Sequence, residues 1–174
     1  AGANAVTAKL KDRAGKETAE EFSHVIVAVG IVPNTADIGL KELGVAMDER
    51  GFLKTDGACK TNVEGIWAIG DITQPPWLAH KASHEGVIAV EHIAGLKGLH
   101  PLDATKVPGC TYCQPQVASV GFTEKAAKEK GYEVKVGRFP FIGNGKAIAL
   151  GEPEGIVKTV FDAKTGALLG AHMA

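Results

Sequence analysis

The stretch Thr61-Asn62-Val63-Glu64-Gly65-Ile66-Trp67-Ala68-Ile69-Gly70-Asp71 constrains the fold more than any other part of this chain. A turn feeds an apolar run that reads as a buried strand, and the run ends on Gly-Asp. Ligands of open α/β sheets bind outside the carboxyl ends of strands. Gly70 lets a ligand approach the backbone, and Asp71 can accept a hydrogen bond from a sugar or ribityl hydroxyl. Taken alone, the pair fits a plain turn cap at least as well.

The following element shifts that balance. Past the Gln74-Pro75-Pro76-Trp77 loop, residues 78–96 read as a helix ended by Gly95 and Gly98. Ala82, Gly86, Ala89, Val90, Ile93 and Ala94 share one face, whose small side chains predict close packing on something flat. The helix start at Trp77-Leu78-Ala79-His80 offers free N–H groups and partial positive charge, which suit an anion or a polarised carbonyl. A flavin is such a ligand, because its N1–C2=O edge gains negative charge on reduction. Spacing alone favours a surface position for His80. Lys81 and Glu85, four apart, read as an exposed pair worth a few tenths of a kcal/mol, and His84 and His92 as helix-surface residues.

Upstream, residues 5–10 and the turn at 11–16 suggest a hairpin arm. His24 to Gly30 is a continuous β-branched run ending in glycine, which predicts a strand buried on both faces. A short helix is expected from Asp37 to Leu43 with Gly44 as its C-cap, then strands at Gly51–Thr55 and Ile66–Ile69. After Pro101 the pattern changes. Candidate strands at 107–111, 117–121, 134–139, 155–161 and 167–171 are interrupted by one helix, with Thr123 as N-cap. Strands in succession with a helix to one side predict an α+β domain with an antiparallel sheet, so a boundary is expected between 100 and 106.

Composition narrows the function. Hydrophobic residues at 45% and charged residues at 22% exclude general disorder, and no apolar run reaches the roughly 20 residues of a membrane span. A net charge of −1 argues against a nucleic-acid or polybasic membrane binder. Three cysteines are too few for a disulfide scaffold and point to a reducing compartment. Cys110-Thr111-Tyr112-Cys113 has the Cys-x-x-Cys spacing but lies in a predicted strand, where positions three apart face opposite sides. A structural role is expected for both thiols, and no metal site.

In combination, Ala68-Ile69-Gly70-Asp71, Leu78-Ala79-His80-Lys81-Ala82, Val117-Ala118-Ser119-Val120-Gly121, Arg138-Phe139-Pro140-Phe141 and Gly170-Ala171-His172-Met173 resemble the pyridine nucleotide–disulfide oxidoreductases. The similarity covers essentially the whole chain. It is strongest to the members that oxidise dihydrolipoyl groups of 2-oxo acid dehydrogenase complexes through a disulfide and FAD to NAD. Mercuric and glutathione reductases are alternatives in the same family, and a non-catalytic, self-associating dimerisation module is an alternative outside it. The resemblance implies three segments: the end of an NAD-binding domain at 1–32, a returning FAD-binding segment at 33–104, and an interface domain at 105–174. Gly30 matches the glycine lying against the NAD dinucleotide, although Ile31 stands where many relatives have arginine. Gly70 and Asp71 match the flavin Gly-Asp pair, and Trp77, Leu78, Ala79 and His80 match the segment whose backbone lies along the flavin. Homodimerisation is expected through residues 107–174, and lipoyl domains are the expected partners of the whole enzyme.

The family's FAD fingerprint Gly-x-Gly-x-x-Gly, its second NAD fingerprint, its disulfide of two cysteines separated by four residues and its C-terminal His-Pro base do not occur here. The chain is therefore expected to be a piece, with no catalytic residue of its own and no activity alone. A bacterial cytoplasm is the expected compartment, with a mitochondrial matrix equally compatible.

Overall fold

The computed structural model describes residues 4–174, so the first three residues of the expected 1–32 segment lie outside the described residues. The chain divides after Val32 into two compact units.

In the first unit, β1 (Val6–Lys11) and β2 (Glu17–Phe22) pair antiparallel, with Val6 opposite Phe22 and Lys11 opposite Glu17. Asp12 holds the turn by accepting from the backbone N–H of Lys16 at 2.9 Å. This is the expected hairpin arm. Residues 24–30, by contrast, form no strand, and Ile26 and Val29 are 90% and 93% exposed. The expectation of a doubly buried strand is corrected here. Such a strand needs neighbouring strands for its backbone and layers on both faces; among the described residues none pairs with it.

The second unit opens with turns and single bridges rather than regular elements. Residues 36–44 make turns instead of the expected helix. Asp37 and Gly39 both have left-handed backbones, with φ of 57° and 82°, which a right-handed helix cannot accommodate. One helix-like turn remains, with Leu43 N–H bonded to the Gly39 carbonyl at 3.1 Å, and it closes past the left-handed Gly44 with Val45 N–H bonded to the Leu40 carbonyl at 2.9 Å. The strands expected at 51–55 and 66–69 reduce to isolated bridges, Met47 to Leu53 and Lys60 to Trp67. Side-chain packing rather than a ladder organises this region. Val45, Leu53 and Ala68 form its core, with Leu40, Val63, Ile66 and Ile72 against them.

Helix α1 (Ala79–Ile93) follows the loop. Its small-residued face splits. Ala89 is buried and Gly86 sits against Ile69, where an added Cβ would be 3.4 Å from the Ile69 Cδ1. Val90 and Ile93, expected to pack, are 64% and 58% exposed.

The remainder is one antiparallel sheet in the order β3-β4-β7-β6-β5, comprising β3 (Gly109–Thr111), β4 (Val117–Gly121), β5 (Val134–Pro140), β6 (Ile156–Asp162) and β7 (Leu168–Met173). The expected strand at 107–111 begins two residues late, because a 3₁₀ turn occupies Ala104–Lys106. Helix α2 (Glu124–Glu129) carries the chain from β4 to β5 at the far edge, and Thr123 caps it by accepting from Ala126 N–H at 3.2 Å. Ala127 on α2 and Val160 on β6 are fully buried. A second short helix, α3 (Gly145–Leu150), was not legible. Six residues are too few to show a helical period, and the Asn144-Gly145 pair reads as a turn. In fact Asn144 is its N-cap, accepting from Lys146 and Ala147 N–H at 2.9 and 3.2 Å.

Candidate functional site

The site is built around Gly70. Its φ of 75° lies in the left-handed region, and an added Cβ would come within 3.3 Å of the Ala82 Cβ. Both facts require glycine there. Gly70–Ile72 makes a single 3₁₀ turn. Gly70 N–H donates to Glu85 Oε2 at 2.8 Å, and the Gly70 carbonyl accepts from Thr73 twice, from its N–H at 3.0 Å and its hydroxyl at 2.7 Å.

Lys81 and Glu85 are not the exposed pair their spacing suggested. Their side chains are only 5% and 13% exposed, and the Lys81 Nζ to Glu85 Oε1 distance is 2.8 Å. Lys81 also donates to the Thr73 hydroxyl at 3.1 Å. The i,i+4 spacing fixes that they meet; what covers them, the turn at 70–73, arrives through tertiary packing. Thr73, Lys81 and Glu85 are thus site residues that sequence reasoning missed.

Asp71 is exposed. Its carboxylate makes no hydrogen bond or ion pair among the described residues, and the 3₁₀ turn has no side-chain cap. The turn-cap alternative therefore loses its support. Nearby, Trp77 stacks on Phe52 with ring centroids 5.0 Å apart and donates its indole N–H to the Thr73 carbonyl at 3.0 Å. Arg50 lies over both rings, 5.1 Å from the Phe52 centroid and 5.6 Å from that of Trp77. The indole thus packs inward and fixes where α1 begins. Leu78 takes the N-cap position with no side-chain cap, and the first turn carries no acidic residue. The leading N–H groups of α1, around Ala79 and His80, are left without a side-chain acceptor. His80 is exposed, and its Nε2 lies 2.7 Å from the Pro108 carbonyl. A carbonyl only accepts, so Nε2 carries the proton and donates. His84 and His92 are exposed on α1.

Gly70, Asp71, Trp77, Leu78, Ala79 and His80 therefore gather at one corner of the second unit. Between them these residues supply a free carboxylate, an acceptor for hydroxyls, and an uncapped helix start, a set of donors for a polarised edge. Gly30 lies in the first unit, exposed, with a φ of 134° and open space where a Cβ would stand.

The three thiols differ in placement. Only Cys110 is in a strand; Cys113 lies beyond β3, in the bend before Pro115, which corrects the expected strand placement. Both are exposed, and the Cys113 thiol donates to the Pro115 carbonyl at 2.9 Å. Cys59 is buried beneath α1, its thiol 3.7 Å from the Glu85 carbonyl; burial, reinforced by the Glu85 charge, pushes it up to about 11. No cluster of metal-ligating side chains is present among the described residues.

Residues 2–86 match the family model described as pyridine nucleotide-disulphide oxidoreductase, and residues 107–174 match that family's dimerisation domain. The chain belongs to the pyridine nucleotide-disulphide oxidoreductase family. It is 60% identical over 97% of its length to a dihydrolipoyl dehydrogenase of Zymomonas mobilis, and 58% identical over 99% to one of Rhizobium etli. It spans 36% of each of those relatives. The crystal structure of LpdA from Mycobacterium tuberculosis superposes with a TM-score of 0.83 at 27% identity, covering 95% of this chain and 35% of that one. The mixed α/β and antiparallel-sheet architecture is that of this oxidoreductase family.

Proposed function

We propose that this chain carries the returning FAD-binding segment and the dimer-forming segment of a dihydrolipoyl dehydrogenase. The observation that supports this most is the free carboxylate of Asp71, on a turn that favours glycine at Gly70, together with the uncapped start of α1 eight residues on. These residues fit a flavin. Asp71 would accept from a ribityl hydroxyl, and the N–H groups around Ala79 and His80 would donate to the flavin's polarised N1–C2=O edge. Gly30 would lie against the NAD dinucleotide. When bound, FAD supplies the two-electron acceptor between a dithiol and the nicotinamide. In the whole enzyme the dithiol would be a dihydrolipoyl group of a 2-oxo acid dehydrogenase complex, and the lipoyl domain its partner. The three cysteines here include no pair separated by four residues, so this chain alone is expected to be inactive.

Residues 107–174 are read as forming a homodimer, a reading supported by their match to the dimerisation domain. No described helix is long and apolar enough to cross a membrane, and a bacterial cytoplasm fits the bacterial relatives. The test is the visible spectrum and the solution mass of the purified chain after incubation with FAD. Flavin absorbance that co-elutes with a dimer, and is lost in Asp71→Ala, is the expected result. A colourless dimer would overturn cofactor binding by this chain and favour a self-associating module.

A further inference from the structure

Four hydrogen bonds around Gly70 close on themselves. Gly70 N–H donates to one oxygen of Glu85, whose other oxygen accepts from Lys81; Lys81 donates to the Thr73 hydroxyl, which donates to the Gly70 carbonyl. The ring starts and ends on one residue, and its members are all buried or nearly so. Stability alone does not call for it. A buried ion pair loses in desolvation about what it gains in attraction, and a well-packed apolar pair often serves as well. An apolar pair, however, would leave Gly70 N–H without its acceptor and Thr73 without its second partner. The ring fixes both backbone polar groups of Gly70, the residue before Asp71, while the Asp71 carboxylate is the side chain of this turn left free.

We propose that Lys81 and Glu85 are positioning residues for Asp71. Glu85 clamps the Gly70 amide, Lys81 orients Glu85, and the pair together holds the free carboxylate at the angle a ribityl hydroxyl must meet. The inference rests on the flavin reading above but makes a separate claim, that the angle of the turn is set from helix α1 by a buried charge pair.

Backbone amide exchange by NMR and FAD titration on the full 174-residue chain test it together. In Lys81→Met/Glu85→Leu, the Gly70 amide should exchange at least about tenfold faster while β4 and β7 amides stay within about twofold. FAD affinity should fall about tenfold in the same variant. Glu85→Gln, which keeps an acceptor for Gly70 N–H but leaves the buried Lys81 without its counter-charge, should exchange at a rate between those of the parent and the double variant. Native exchange at Gly70 in the apolar double variant would overturn the proposal. So would loss of protection throughout the sheet, which would make the pair a general support of the fold. If the unsubstituted chain takes up no FAD, the flavin reading fails, and exchange at Gly70 still decides whether the pair positions the turn.

Discussion

Gly70→Ala separates two demands that meet at one residue. The first is conformational. A φ of 75° costs a residue with a Cβ about 1–2 kcal/mol. The second is steric, because the new Cβ would stand 3.3 Å from the Ala82 Cβ, and helix α1 is tied to this turn through Glu85 and cannot recede freely. We assign the contact roughly another 1 kcal/mol. A total near 2–3 kcal/mol lowers the melting temperature by about 4–12 °C in a chain of this size. Gly65→Ala is the control: its φ of 80° is nearly the same, but nothing lies within 4 Å of the added Cβ. It should show the conformational cost alone, about 1–2 kcal/mol. Urea unfolding followed by the fluorescence of Trp67 and Trp77, both in this region, measures each value. In an Ala82→Gly background, itself weakened by about 1 kcal/mol for a helical glycine, the added cost of Gly70→Ala should fall to the Gly65→Ala value. Equal costs for Gly65→Ala and Gly70→Ala in the parent background would refute the steric part. A Gly70→Ala cost under about 0.5 kcal/mol would refute both.

Other outcomes can be checked separately. A thiol reagent at pH 8 should modify Cys110 and Cys113 rapidly and Cys59 only after unfolding, since a thiol at about 11 holds about a hundredfold less thiolate than one at the ordinary 9.0. Equal rates for all three would contradict the burial of Cys59. Lys128 and Lys158 hold the Glu124 carboxyl down at about 2. Its contribution to stability is therefore complete above the ordinary 4.5 and is lost as pH falls from there towards 2; Glu124→Gln should flatten that part of the pH–stability curve. Thr123→Ala removes the α2 cap and should cost about 1 kcal/mol in urea unfolding; no measurable change would mean that the cap is dispensable.

Sequence signals predict structure where the information is itself local. The cap of the helix in the C-terminal sheet is of this kind: Thr123 stands before α2 and accepts from Ala126 N–H. β5, β6 and β7 pair with their neighbours in sequence, so short-range pattern and final partner agree there, whereas β4 finds β7 from far along the chain. Gly70, Asp71 and the helix start after Trp77 were also legible, because a glycine, a carboxylate and a helix N-terminus carry their chemistry in the backbone positions they occupy.

The sequence by itself thus determined the β1–β2 hairpin, the Thr123-capped helix α2 and the residue types at the candidate flavin corner. Tertiary structure decided what is buried. His24 to Gly30 is as apolar as any buried strand, yet it is exposed, since burial belongs to the neighbours a segment finds and not to its own composition. Lys81 and Glu85 show the converse. Two charged residues one helical turn apart look like solvated surface until the turn at Gly70–Thr73 folds over them and makes the pair its internal frame. Burial turns on residues brought together across chain separations that a local pattern cannot report, and hydrogen bonding then selects which polar groups tolerate it.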